Sequence, residues 1–265
     1  MKSARLLILL ICINFNYAYP STPDTVFLEE LTWTEVRTLI DNGKTTILVP
    51  TGGTEQNGPH IVLGKHNSRM KVAAERIARA LGNALVAPVM AYVPEGQIDP
   101  PSGHMRYAGT IGIPPEVFGS VLEYTARSLK VHGFTDILFI GDSGTNQRPM
   151  EQVAAKLKEE WETEKARVIF VSEWYASRTA FIEEYLIPIG ETQETIGRHA
   201  GLIDTAASLA MAPGDVRTDN MSVGKGMDVD GVSGDPTRAT AEIGHLSYDF
   251  KFKATMTQIR ELMAE

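Results

Sequence analysis

Only one cysteine occurs in the 265 residues, Cys12, and it lies inside an N-terminal apolar stretch. The chain therefore builds no internal disulfide and no cysteine-ligated zinc site, and thiolate catalysis is excluded once that stretch is removed. Positive charge is also in short supply. The 25 Lys and Arg against 33 Asp and Glu give a formal net charge of -8, with no basic cluster. Nucleic-acid binding rests on clustered cations, so no nucleic acid is expected as a partner. Internal repeats, low-complexity tracts and charge blocks are missing too, which excludes solenoids and long disordered arms.

What is present begins with a targeting pattern. Met1-Lys-Ser-Ala-Arg5 supplies positive charge, Leu6 to Phe15 an apolar run, and Ala18 a small residue for cleavage. This reads as a signal peptide over residues 1–18. The run is too short for a permanent membrane anchor. Ile11 before Cys12 is not the small residue that a lipid-modified cysteine requires. The expected product is exported, periplasmic or secreted, with residues 19–265 as a single domain whose core draws on 43% hydrophobic residues.

Apolar strands and amphipathic helices alternate along that domain. Trp33 to Asn42 has helical spacing, Thr46–Val49 reads as a buried strand, and Ser68–Leu81 as an amphipathic helix stopped by Gly82. Strands follow at Ala84–Val89, Thr135–Ile140 and Arg167–Ser172, with helices over Pro115–His132 and Arg148–Lys165 and a last one over about Tyr248–Ala264. Strand-helix-strand at this spacing predicts an α/β fold, a three-layer α/β/α sandwich on a mostly parallel sheet. The stretch Gly214–Pro236, rich in Gly, Asp and Ser, reads as a long functional loop or a partner contact.

Four polar segments fall at the ends of apolar elements, where parallel sheets open into a ligand crevice. The first, Thr51 to His66, delivers Glu55, His60 and His66 within twelve residues on a glycine-rich loop. The second is Gly103-His-Met-Arg-Tyr-Ala-Gly-Thr110, the third Gly141-Asp-Ser-Gly-Thr-Asn-Gln147, and the fourth Arg198-His-Ala-Gly-Leu-Ile-Asp-Thr205. Carboxylate and imidazole together suit a divalent metal. A polar loop whose histidines form only local hydrogen bonds is the plainer alternative.

Those segments carry a resemblance. Gly52-Gly-Thr-Glu-Gln-Asn-Gly-Pro-His60 is similar to the G-S-T-E-Q-H-G-P-H signature of the creatininase family, and Ile61 to His66 aligns with its L-P-L-G-T-D continuation. His104 with Gly109-Thr110 resembles E-H-x-x-F-P-G-T, and Gly141 to Asn146 stands where the family has N-G-H-G-G-N. His199 to Thr205 resembles H-A-G-E-x-E-T-S, and Gly231 to Thr240 a G-V-x-G-D-P-x-x-A-T block. Order and spacing agree from about Thr46 to Thr240. The resemblance implies a parallel-sheet hydrolase of amides or cyclic amides, often hexameric, with two metal ions bridged by a carboxylate.

Several positions depart from that pattern. Glu55 is kept, but Asn57 replaces a histidine ligand, His66 the bridging aspartate, Ser143 another histidine, and Leu202 and Asp204 the Glu-x-Glu pair. Two ions are therefore not expected. The expectation is one divalent ion, Zn or Mn, on Glu55, His66 and Asp142, with His199 handling protons. Asn57, His60, His104, Ser143, Asn146 and Asp204 are expected to contact substrate or support the ligands. The competing reading is a metal-depleted binding protein or pseudo-enzyme on the same scaffold. A small-molecule substrate and a homo-oligomer, a hexamer by resemblance, complete the expectations. Gly141-Asp-Ser-Gly144 spells a trypsin-like tetrapeptide, but it follows a strand of an α/β pattern and makes no G-x-S-x-G elbow. The glycine-rich loops also lack the P-loop and dinucleotide fingerprints.

Overall fold

The computed structural model describes residues 23–264, and the predicted signal peptide lies outside the described residues. Four parallel strands, β1 (Thr46–Thr51), β2 (Ala84–Val86), β3 (Asp136–Gly141) and β4 (Arg167–Val171), form a sheet in the order β2-β1-β3-β4. β1 and β3 run in register from Thr46 opposite Asp136 to Thr51 opposite Gly141. All six residues of β1 are buried, as a central strand covered on both faces should be.

Alternation along the strands sorts the core into two layers. Ile47, Val49, Leu85, Ile137, Phe139 and Val168 face one side. There they meet α1 (Trp33–Asp41), α3 (Pro115–Val131) and α4 (Gly144–Glu160) through Ile40, Leu122 and Met150. Leu48, Val86, Leu138, Ile140, Ile169 and Val171 face the other side. Their partners are α2 (Lys65–Leu81), α5 (Glu173–Phe181) and the last helix, α8 (Ala241–Ala264). The predicted three-layer fold is the observed one. α5 continues into a π turn at Ile182–Leu186, followed by the short α6 (Gln193–Ile196) and by α7 (Leu202–Met211).

Three helix starts differ from the sequence reading by three residues or more. α2 starts at Lys65 rather than Ser68, so Lys65 and His66 stand on its first turn and not on a loop. Gly64 precedes it with no capping side chain, so no cap residue marks the start in the sequence. α4 begins at Gly144, which puts Pro149 inside it rather than at its entry. α8 begins at Ala241, seven residues early, because Gly244 is a packing contact and not a break. A Cβ there would lie 1.9 Å from the Ala206 carbonyl oxygen of α7.

At the centre of the sheet Phe139 is fully buried between α3, α4 and its neighbouring strands. Phe139→Ala is expected to lower the unfolding free energy by about 3–5 kcal/mol, measured by urea denaturation. A loss below about 1 kcal/mol would show that this layer is not the packed core.

Candidate active site

The carboxyl ends of β1 and β3 and the start of α2 meet at one cavity of about 430 Å³. Its wall includes Glu55, His66, His104, Asp142, Ser143, His199 and Asp204, so four separate segments converge as their strand-end positions predict. The buried stripe of α2 (Met70, Ala73, Ala74, Ile77, Ala78) continues one turn further as Lys65, His66 and Arg69. Where that stripe passes the sheet edge its apolar residues give way to charged ones, and these floor the cavity.

Glu55 is the hub. Its Oε1 lies 2.9 Å from His66 Nε2, 3.5 Å from Lys65 Nζ and 3.7 Å from His199 Nδ1. Its Oε2 lies 3.2 Å from His104 Nε2. Burial works to raise the carboxyl's pKa, but the charges of His66 and Lys65 and the His66 hydrogen bond outweigh it. The group is held well below the ordinary glutamate range.

Two further carboxylates complete the floor. One Asp142 oxygen lies 2.9 Å from His66 Nδ1 and accepts from Arg69 Nη2 at 2.5 Å. Its other oxygen accepts from Lys251 Nζ at 2.9 Å and Trp174 Nε1 at 3.2 Å. Asp204 meets Lys65 Nζ at 3.2 Å and Arg69 Nη1 at 3.3 Å, and accepts the Ala200 N–H at 2.9 Å. Burial raises both groups, but Arg69 with Lys251, and Lys65 with Arg69, outweigh it, so both stay well below the usual range. Three carboxylates thus face three cations, Lys65, Arg69 and Lys251, of which Asp204 and Lys251 are only partly buried.

This arrangement corrects part of the expected ligand set. Asp142 does reach the cavity, but both oxygens are committed to protein cations and an indole N–H. His66 has a carboxylate oxygen 2.9 Å from each ring nitrogen, and Arg69 Nη2 lies 3.1 Å from its Nδ1, so both nitrogens are engaged by protein groups. The three donors that cluster are instead Glu55, His104 and His199, whose ligand atoms lie within 4.8 Å of one another.

His199 is prepared for that duty. Its Nε2–H donates to the Gln56 carbonyl at 2.7 Å, so in the neutral ring Nδ1 carries a bare lone pair toward Glu55. Burial and nearby Lys65 push its pKa down to about 3, which keeps it neutral at physiological pH. Two acceptors, Nδ1 and a carboxylate oxygen, therefore face each other across 3.7 Å with no proton between them. Such a gap suits a cation or a water that donates to both.

His104 is less ready. Gln56 Oε1 accepts the Gly58 N–H at 2.9 Å, which turns its Nε2 toward the Gly231 carbonyl at 3.2 Å and His104 Nδ1 at 3.1 Å. His104 then carries its proton on Nε2 and donates to Glu55. Ligation by His104 requires the Gln56 amide to turn over. Burial also lowers the His104 pKa.

A strained segment carries His199. Ala200 has φ +50°, the left-handed region that costs a residue with a Cβ about 1–2 kcal/mol. The Asp204 carboxylate on the Ala200 N–H holds that turn. Gly197, at φ +67°, passes so close to residue 233 that a Cβ would sit 1.7 Å from the Ser233 carbonyl oxygen. The loop read as functional from Gly214 to Pro236 is this clamp. The Ser233 N–H donates to the His199 carbonyl at 2.8 Å, and Gly231 and Met227 tie it to Gln56 and Tyr107.

The remaining expected residues act from behind the wall. Asn57 Nδ2 donates to the carbonyls of Glu55 and Val62, His60 Nε2 meets Thr205 Oγ1 at 3.0 Å, and Asn146 Nδ2 donates to the Gly52 carbonyl at 2.8 Å. None of the three lines the cavity. Ser143 does, with its Oγ 3.1 Å from Thr145 Oγ1 and no histidine bonded to it.

Sequence reading missed Lys65, Arg69, Lys251, Gln56 and Glu95. Arg69 carried a signal, since it lies on the buried stripe of α2. Glu95 carried none. It sits in a loop, 1% exposed, and among the described residues no donor reaches either carboxyl oxygen. Burial, the charge of Glu55 and a hydrogen bond that the Glu95 proton makes to that carboxylate push it up to about 10, so it is a neutral acid at pH 7 whose acid proton is the side chain's one polar link. Gly53 makes room for it, because a Cβ there would lie 2.4 Å from Glu95 Oε1.

Residues 29–259 match the creatininase family model, described as creatinine amidohydrolase, and the chain belongs to that family. It is 27% identical over 226 residues to the mycofactocin precursor peptide peptidase of Mycobacterium tuberculosis, covering 75% of this chain and 78% of that protein. It is 24% identical over 192 residues to the creatinine amidohydrolase of Pseudomonas putida, covering 71% and 73%. Among solved structures, a creatininase designated "Creatininase Mn" superposes with a TM-score of 0.72 at 21% identity, over 89% of this chain and 98% of the other. These named relatives are hydrolases of C–N bonds, and that structure is a manganese form.

Glu95 gives a pH signature. A glutamate binds its proton up to about pH 4.5 when unfolded and up to about 10 here, so between those values the folded state holds the extra proton. Its contribution to stability is full below pH 4.5 and falls as pH rises toward 10, by as much as about 1.4 kcal/mol per pH unit. Glu95→Gln should therefore be more stable than the parent at pH 8, with a smaller advantage at pH 5. Urea unfolding at both pH values checks this, and an advantage that does not grow with pH would refute it.

Proposed function

We propose that this protein hydrolyses the C–N bond of a small amide or cyclic amide bound in the cavity above Glu55. In this reading one divalent ion, zinc or manganese, is held by Glu55, His104 and His199. The observation that carries it is the pair of facing acceptors, Glu55 Oε1 and His199 Nδ1, with the far nitrogen of His199 tied to a backbone carbonyl. That tie is the usual way a ligating imidazole is oriented and its tautomer fixed. When bound, a divalent ion makes a water nucleophilic at neutral pH and polarises an amide carbonyl.

The chain's own residues do the rest. Glu55 stays ionised because Lys65 and His66 hold its pKa down. His199 stays neutral, and with a pKa near 3 it serves better as a lone-pair donor than as the proton carrier expected from the family pattern. Asp204 and the Ser233 loop fix the His199 backbone. Trp174 walls the cavity and excludes water from its floor.

A second reading has its own support. Lys65, Arg69 and Lys251 already balance Glu55, Asp142 and Asp204, so a divalent ion would add charge to a floor that is neutral without it. In that reading the cations supply the positive charge of the floor, and the cavity binds a ligand or orients a water without an ion.

Two carry-overs from the sequence complete the proposal. Export to the periplasm or medium rests on the N-terminal residues 1–18. A homo-oligomer rests on the family pattern and on exposed Val117, Val121 and Tyr124 along α3.

Elemental analysis of protein purified without chelator separates the two readings. About one ion per chain, lost in Glu55→Ala and in His199→Ala with a fall in amide turnover of about 100-fold or more, supports the metal hydrolase. An ion content far below one per chain, unmoved by either substitution, refutes the metal site and leaves the charge-balanced cavity. Lys65→Met tests that balance. If Lys65 excludes the ion, this variant should bind Zn²⁺ or Mn²⁺ at least about tenfold tighter in calorimetric titration, even though it unfolds more readily. Unchanged affinity would show that Lys65 does not control ion entry.

A further inference from the structure

Five cations line the cavity, Lys65, Arg69, Lys251, Arg178 and Arg198, against three carboxylates. The first three are the ones that balance Glu55, Asp142 and Asp204. Arg178 and Arg198 have no carboxylate partner among the described residues. Arg178 is half-buried on α5, on the same helix face as Trp174, and its Nη2 donates to a neutral acceptor, the Gly197 carbonyl, at 3.0 Å. That bond fixes the guanidinium beside the backbone of residue 198 and leaves most of its five N–H donors free. Arg198 is exposed at the same wall, and its backbone N–H donates to Ser233 Oγ at 3.3 Å.

An excess of positive charge at this spot runs against the chain's net -8. Elsewhere among the described residues Arg79, Arg127, Arg167 and Arg238 pair with carboxylates, while Arg148, Arg217 and Arg260 do not but lie outside the cavity wall. Ile203, Ala207, Met211 and Met227 add apolar wall to the same cavity. A ligand matching both features has an apolar body and one anionic group, held by a planar fork of donors that suits a carboxylate.

We propose that Arg178, assisted by Arg198, is a specificity site for a carboxylate on the ligand, so that the cavity takes a carboxylate-bearing amide of the N-acyl amino acid kind. This rests on the amide-hydrolase reading for the fate of the ligand, but not for its binding. The neutral floor and the unbalanced wall divide the work. Glu55 and His199 serve the amide, and Arg178 and Arg198 serve the charged group.

Binding of N-acetylleucine against N-acetylleucinamide, and of N-acetylglycine against N-acetylglycinamide, tests it by calorimetry or ligand-observed NMR on the full mature chain. The carboxylate of each pair should bind about 10- to 100-fold tighter than its amide. That preference should largely vanish in Arg178→Gln and weaken in Arg198→Gln, each checked for folding by circular dichroism. Exposed Arg198 gives a variant whose folding is safe should Arg178→Gln prove unstable. Glu55→Gln should keep the preference while losing turnover, so a failed hydrolase reading leaves this result intact. Equal affinity within the pairs, no detectable binding of the carboxylates, or a preference untouched by both arginine variants would overturn the proposal.

Discussion

Charge balance in a dry place governs this structure. Glu55 and Asp142 are taken out of water at the edge of the sheet and Asp204 partly so, and an unpaired buried carboxylate costs several kcal/mol. Lys65, Arg69 and Lys251 offset them one for one, and they come from two different helices, α2 and α8. The floor of the cavity therefore forms only when α2 and α8 are docked on the same face of the sheet. Site and core are in this sense one assembly. Trp174 shows it most directly, since its ring packs in the core beside Met256 and Ile259 while its Nε1–H donates to Asp142.

The same balance explains how the positions that depart from the expected pattern are accommodated without the fold failing. His66, standing where a bridging carboxylate is expected, sits between Glu55 and Asp142 with a ring nitrogen 2.9 Å from each. Lys65, one residue before it, joins Glu55 to Asp204. Asn57 turns inward and ties two backbone carbonyls of its own loop. These side chains engage one another rather than the open cavity, whereas Glu55 and His199 face each other across a gap with no proton between them.

How much of this was legible in the sequence follows from what the sequence encodes locally. The strands and the two-faced helix α2 were readable because their apolar periods are set by the sheet they cover. Convergence of the four polar segments was readable because parallel topology forces strand ends to one side. The roles within the cluster were not. Whether Asp142 faces an ion or Arg69 depends on a side chain 73 positions earlier in the chain. Glu95 looks like any loop glutamate until Gly53 and Val93 close over it. The start of α2 was hidden for the same reason, since Lys65 and His66 at a helix N-terminus oppose its dipole and are retained for the floor instead.

Gln56 links these levels. Its backbone carbonyl fixes the His199 tautomer, and its side-chain amide fixes that of His104 in the opposite sense. One residue therefore makes one histidine a lone-pair donor and the other a proton donor toward the same carboxylate. Gly231, whose carbonyl holds the amide in place, belongs to the loop that also clamps the His199 backbone through Ser233. Any movement of that loop alters both histidines together. The proton inventory around Glu55 is thus set from residues 231–233, far along the chain from the glutamate and touching it only through Gln56 and His199.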